Sequence, residues 1–368
     1  MNKYALIIIL ILNIIFVSCV DFKESEPPET PSELLNELVS SAPYQYININ
    51  EVELNEITIS EEDILYRLNH NLPDEEPILG HLTRLAFHDG QFFVYDGGVN
   101  AIFIIDKDGG INGPFSRGGR GPGEHGLIDN LKVNHQFVWA ADVINVRINR
   151  YTHEMALIDS FDDMSSFLDL NDKFIITENS NSRGIAPKDP DQGRIVVRDL
   201  NSLADTLETI LPRIIPAGFQ PQLYNSPRAT INHNHMIVAT YQFLPWLFLY
   251  DQEFTHLSTL IIEYSMYDEM DIPSMELFRQ LNNEGFGGVN PITEFKLMDN
   301  NEIFFSVRRE LIHLTPSPDG IYHVAGRYRF YNEEQDEPLW ISDIFSSENE
   351  GEYYIGSWYH LFRFAALD

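Results

Sequence analysis

Six times along the chain a polar turn gives way to a short apolar or aromatic run. The runs begin at Phe92-Phe93-Val94, Phe137-Val138-Trp139, Phe174-Ile175-Ile176, Met236-Ile237-Val238, Ile303-Phe304-Phe305 and Tyr353-Tyr354-Ile355. Turn residues such as His88-Asp89-Gly90, Asn171-Asp172 and Asp299-Asn300-Asn301 precede them, and such residues start strands after tight reversals. Each run is followed by a second one: Ile102–Asp106, Val146–Ile148, Ile195–Asp199, Leu247–Asp251, Leu311–Leu314 and Leu361–Phe364. The pattern predicts strand, turn, strand, turn, six times over.

The markers Phe92, Phe137, Phe174, Met236, Ile303 and Tyr353 are spaced 45, 37, 62, 67 and 50 residues apart. Periods of this size with about four strands per unit suit propeller blades, because each small twisted sheet can bury its two faces only against two neighbours. The expectation is an all-β, six-bladed β-propeller over residues 41–368, with insertions in the third, fourth and fifth units. Only four residues follow Phe364, so the last blade lacks its outer strand. An N-terminal strand, either Tyr44–Ile49 or Val52–Leu54, is expected to supply it and remove an exposed edge.

The beginning of the chain reads differently. Lys3 precedes the apolar stretch Ala5 to Val17, and Ser18 places a small side chain before Cys19. That stretch is too short to span a bilayer core of roughly 30 Å as a helix. The segment Phe16-Val17-Ser18-Cys19 resembles a bacterial lipoprotein signal, which implies removal of residues 1–18 and acylation of Cys19, palmitate included; an ordinary secretory signal is the alternative. The acidic, proline-bearing run that follows predicts a flexible tether over 19–40. Its carboxylates also resemble the export tags of lipoproteins in Bacteroidetes-like bacteria. The expected location is the bacterial cell envelope, at the outer membrane, with the face left open and the lipid bilayer as partner.

Cys19 is the single cysteine among 368 residues, so the domain has no disulfide, thiolate metal site or cysteine nucleophile to use. The formal charge of -32, from 56 acidic and 24 basic residues, repels phosphate backbones at long range. Nucleic acid is excluded as a partner on that ground, and a monomeric propeller is expected.

Between the first two units stands Gly113-Pro114-Phe115-Ser116-Arg117-Gly118-Gly119-Arg120-Gly121-Pro122-Gly123-Glu124. Its glycines permit backbone angles closed to other residues, Pro122 stiffens the turn, and Glu124 can accept from turn amides or pair with Arg120. With the first-unit segments Phe93–Asp96 and Ile104–Gly109, this stretch resembles the bacterial six-bladed β-propeller lipoproteins related to NHL-repeat propellers. Their Gly-x-Gly-Pro-Gly-Glu signature matches Gly119, Gly121, Pro122, Gly123 and Glu124. The resemblance implies architecture and location and carries no enzymatic assignment.

Candidate chemistry is sparse. The strands expected to line the axis carry Arg84, Asp129, Arg228, Glu294 and Asp343 at broadly equivalent positions, and these are the candidate ligand-contacting residues. Trp246 and Trp358, in hairpins of the fourth and sixth units, are candidate stacking platforms for a glycan or peptide. The histidines form no local metal-ligand pattern, no Gly-x-Ser-x-Gly elbow is present, and no metal or other cofactor is predicted. Calcium at the Asp106–Gly109 turn is the one ion left open, without the full loop pattern. Two functions follow: recognition or scaffolding of a peptide, glycan or envelope protein, or a lyase or hydrolase using axial residues.

Overall fold

The computed structural model describes residues 33–67, 82–162, 167–178, 194–212, 227–241, 244–265, 292–333, 337–347, 349, 351–358 and 360–366. Cys19 and the signal segment lie outside them. Six sheets, each built on four antiparallel strands and taken in chain order as blades 1 to 6, follow one another around an axis. Blade 1 comprises Leu82–His88, Gln91–Asp96, Ala101–Asp106 and Ile111–Asn112, and blade 2 comprises Ile128–Val133, Val138–Asp142, Arg147–Tyr151 and Leu157–Asp162. Blade 3 holds Phe167–Leu170, Phe174–Glu178, Ile195–Asp199 and Ser202–Ile210; blade 4 holds Pro227–Ile231, Ile237–Tyr241, Trp246–Tyr250 and His256–Glu263. Blade 5 is built from Glu294–Leu297, Ile303–Val307, Glu310–Pro316 and Tyr322–Asn332, and blade 6 from Ile341–Ser346, Glu352–Ser357 and His360–Ala365.

The second strand of each blade explains why the sequence shows apolar runs rather than alternation. Both of its faces are covered. Phe92 and Val94 pack toward blade 6 with Leu361, whereas their neighbours Phe93 and Tyr95 pack toward blade 2 with Val138 and Ala140. Trp139 and Ala141 then turn to blade 3, and the same division recurs at Ile237 and Val238, which face blades 3 and 5. Phe304 closes the series against Ile355 and Phe362 of blade 6. One buried cluster therefore fills each of the six wedges between blades, and each fully buried Phe, Ile or Val adds about 1.5–3 kcal/mol.

Closure uses an N-terminal strand, as expected, but a later one. Ile64–Arg67 pairs antiparallel with His360–Ala365, setting Tyr66 opposite Leu361, and completes blade 6. Neither segment expected to do this does so. Tyr44–Asn48 adds a fifth strand, parallel, to the rim of blade 4; Val52–Leu54 forms no strand, and the strand that follows it, Asn55–Ile59, is added in parallel to blade 5 with Ile57 opposite Phe330. Residues 44–67 thus form a belt across three blades.

The tether boundary also moves. Glu33–Ser40, expected to belong to the flexible tether, is a helix, and its Leu35 and Val39 are fully buried in the cluster between blades 3 and 4. Gln45 fastens the belt where it passes from blade 4 to blade 5, its Oε1 accepting from the Tyr322 amide at 2.9 Å. A chain beginning at Glu61 keeps the closing strand but loses helix and added strands; calorimetry should show one cooperative transition at a Tm several degrees lower. A chain beginning at Leu82 exposes the edge of blade 6 and should lose that transition; equal Tm values for the two would exclude closure by Ile64–Arg67.

Candidate functional site

Residues two apart on a strand share a face, and on the innermost strands that face looks onto the axis. Arg228, Thr230 and Asn232 succeed one another in blade 4, as do Glu294, Lys296 and Met298 in blade 5. The five axial candidates, Arg84, Asp129, Arg228, Glu294 and Asp343, all lie on innermost strands. They form a tier of charge near one mouth. Arg84 pairs with Asp129 of the next blade at 3.0 Å, and Arg228 donates to the carbonyl of Thr293 beside Glu294.

A second tier, nearer the opposite mouth, contains residues the sequence reading missed: Lys132, Asp169, Thr230 and Lys296. Asp169 is its centre, only 1% exposed. It accepts from the Thr230 hydroxyl at 2.8 Å and the Ile231 amide at 3.1 Å. Lys132 of blade 2 approaches it to 3.5 Å and Lys296 of blade 5 to 3.9 Å. Burial pushes the Asp169 carboxyl up, but the two lysines and the hydrogen bonds outweigh that and hold it below the usual range. Lys296 moves down because burial outweighs Asp169, while in Lys132 the pull of Asp169 and other axial acids prevails over burial and the value rises.

Beyond this tier a chain of asparagines runs around the mouth. Asn134 donates from Nδ2 to the Asn171 carbonyl at 3.3 Å, Asn171 to the Asn232 carbonyl at 2.8 Å, and Asn232 to the Met298 carbonyl at 3.0 Å. Each Oδ1 accepts amides of its own turn, as Asn134 does from Phe137 at 2.9 Å, so one side chain shapes the hairpin and ties it to the next blade. Outside this ring His135 pairs with Asp172, and His233 Nδ1 lies 2.9 Å from Asp299. Hydrogen bonding to Asp299 raises the His233 pKa.

Lys132, Asp169 and Lys296, the three asparagines, His233 and Asp299 line a cavity of about 190 Å³ on the axis. All six blades contribute, from Phe87 in the first to Phe345 in the sixth, with Lys132, Asp169, Asn232 and Lys296 between them. Phe87 and Phe345 are half-buried, with ring centroids 6.2 Å apart. The site joins an apolar edge to a charged floor.

Glu294 stands in the first tier, where the encircling blades remove much of the surrounding solvent although its side chain borders open channel. That desolvation, opposed by Arg228 and reinforced by Asp343, pushes its carboxyl up to about 7. Asp343 is also raised by burial, against the pull of Lys132 and Lys296. A carboxyl with such a value exchanges its proton near neutrality.

The remaining candidates separate. Trp246 is 4% exposed and packs with Tyr241 and Phe248, so it is a core residue and not a stacking platform. Trp358 is 51% exposed and stacks on Trp340 with centroids 6.2 Å apart and planes 14° from parallel. Arg309, held by Glu337 at 2.7 Å, lies over the Trp340 ring. This platform occupies the face opposite the asparagine ring. In the glycine signature Glu124 accepts from the Gly121 amide at 2.8 Å and pairs with Arg117 rather than Arg120. A Cβ on Gly119 would collide with that Glu124 carboxylate, and Arg147 of blade 2 donates to the Gly121 carbonyl at 3.0 Å; the signature is a structural clamp between blades 1 and 2. Asp106 accepts from the Asp108 and Gly110 amides at 3.0 and 2.7 Å, forming its own turn. Among the described residues no group of three or more His, Cys, Asp or Glu is placed to hold a metal ion.

No family model matches the chain, and no curated protein matches it. Among solved structures it is similar to a protein of Bacteroides fragilis described as a candidate exported protein, at 10% identity and a TM-score of 0.49 over 82% of this chain and 88% of that one. It is also similar to virginiamycin B lyase from Staphylococcus aureus, at 10% identity and a TM-score of 0.42 over 75% and 77%. A third is the extracellular domain of a one-component system from B. thetaiotaomicron, at 10% identity and a TM-score of 0.41 over 78% and 40%.

Two outcomes follow from the charges. Asp169→Ala leaves two lysines facing each other without their counter-ion and should cost about 3–5 kcal/mol in urea unfolding, whereas Asp129→Ala, at a side chain 59% exposed, should cost under about 1 kcal/mol. For Glu294 the folded-state value of about 7 lies above the ordinary 4.5, so between those values the folded chain keeps a proton that the unfolded chain releases. The carboxylate therefore opposes folding increasingly as pH rises through that window, and in full above it. Glu294→Gln should gain stability over the native chain at pH 8 compared with pH 5; the same difference at both would contradict the shift.

Proposed function

We propose that the chain is a lipid-anchored envelope protein of the six-bladed β-propeller lipoprotein type, acylated at Cys19, whose axial cup recognises a polar group of a glycan, peptide or partner protein. The observation that carries this reading is the convergence of side chains from all six blades on one small cavity with an apolar edge and a charged floor. Sites of this composition orient a ligand by a few polar groups and hold it by apolar contact. At about 190 Å³ the cavity is below the roughly 300–1,000 Å³ usual for whole drug-sized ligands, so it takes one unit of a larger molecule. The resemblance of residues 16–19 to a lipoprotein signal and the proline-rich acidic run after them support the anchor, and the bacterial outer membrane is the proposed location.

A second reading is favoured by Glu294, whose raised carboxyl, acted on by Arg228 and Asp343, could serve as a general acid or base in a lyase or hydrolase. The two readings differ in what happens to the ligand. Panels of envelope oligosaccharides and short peptides, titrated into the full chain and followed by NMR, should show saturable binding with the ligand returned unchanged. Turnover abolished by Glu294→Gln would replace recognition with catalysis. For the anchor, mass spectrometry of the membrane fraction should find acylated Cys19, and Cys19→Ser should release the protein; a soluble, unmodified native chain would remove the anchor from the proposal.

A further inference from the structure

The cavity floor has a charge balance that selects among ligands. Asp169 is one buried carboxylate placed between two lysines that reach it from blades 2 and 5. The triad by itself carries one surplus positive charge; the other acids acting on its lysines are Asp343 and Glu294, whose carboxyls burial pushes up toward the neutral form, and Asp299, which is paired with His233. Lys296, at 3.9 Å, is within ion-pair range of Asp169 but beyond hydrogen-bonding distance, and both lysines line the cavity. A surplus cation walled in by protein is worth far more to an entering anion than one at the surface, because little water screens it.

We propose that this cavity binds the carboxylate of an acidic sugar, with Lys132 and Lys296 as its counter-ions. The inference rests on the recognition reading above and names the chemical class of the ligand. One negative charge completes the triad's neutrality, whereas a phosphate dianion would bring a second charge against Asp169 with nothing left to balance it. Polyanions are disfavoured further by the formal charge of -32 on the whole chain. The walls favour a sugar as carrier of the carboxylate. Half-buried Phe87 and Phe345 line one side, while His233 and Asp299 offer polar atoms on another, which matches the apolar faces and hydroxyl rim of a pyranose.

Calorimetry on the full chain in neutral detergent tests this with galacturonate, its methyl ester, galactose, inorganic phosphate, and an N-acetylated dipeptide with free or amidated C-terminus. Galacturonate should bind, with the ester, galactose and phosphate weaker by at least about tenfold, and Lys296→Met should lose a similar factor. Equal binding of the ester would overturn the inference while leaving recognition of neutral glycans standing. Equal or tighter phosphate binding would overturn the selection for a single charge. A free-carboxylate dipeptide that binds more tightly than galacturonate would assign the cavity to peptide termini instead, and failure of galacturonate to bind at all also overturns the inference. Should Lys296→Met lose its native urea midpoint, Lys132→Met and the ester comparison, which needs no variant, decide the matter.

Discussion

Each blade is a sheet with two apolar faces and no layer of its own to cover them, and that shortage governs the molecule. Phe92 and Phe93 are adjacent in sequence yet face different neighbours, so a single strand serves two wedges at once. No blade can therefore be satisfied alone, and the circle must close before the last wedge is dry. Closure falls to Ile64–Arg67, a short strand that crosses from the start of the domain to its end. Its pairing joins residues about 300 positions apart in sequence, which loads the entropy of ordering onto a late, long-range contact.

The same closure creates the site. Six innermost strands brought side by side leave a narrow space where side chains from every blade must meet, and polar groups there have to answer one another across blades. Among the described residues Asp169 has no charged partner within its own blade; Lys132 and Lys296 come from one blade before and two after. The asparagine chain follows the same rule, each amide reaching one blade onward. Polar satisfaction at the axis is a property of the ring rather than of any segment, and this fixes the geometry that a ligand meets.

That distinction also explains what could be read before the structure. The six hairpins were legible because strand two of each blade is buried on both faces and so writes a continuous apolar run. Arg84, Asp129, Arg228, Glu294 and Asp343 were placed on the innermost strands by their position before those runs. Lys132, Asp169, Thr230 and Lys296 were missed, although for the first three a signal exists: Lys132-Val133-Asn134, Asp169-Leu170-Asn171 and Thr230-Ile231-Asn232 repeat polar, apolar, asparagine immediately before the turn, a pattern Lys296-Leu297-Met298 lacks. Reading it requires knowing that the position two before the asparagine faces the axis. The belt was misassigned because its strands are short and lie at sheet edges, where pairing to a backbone edge leaves little mark on side-chain pattern. Trp246 was ambiguous for the opposite reason, since an indole suits a core wedge as well as an open platform.

The belt has a mechanical meaning. A pull entering through Glu33 reaches the helix first, then the rim strand of blade 4, then that of blade 5, and the closing strand last. The two rim strands run parallel to their partners, and neither is needed to complete a blade. Their place in the chain sets both of them between such a pull and the strand that shuts the ring.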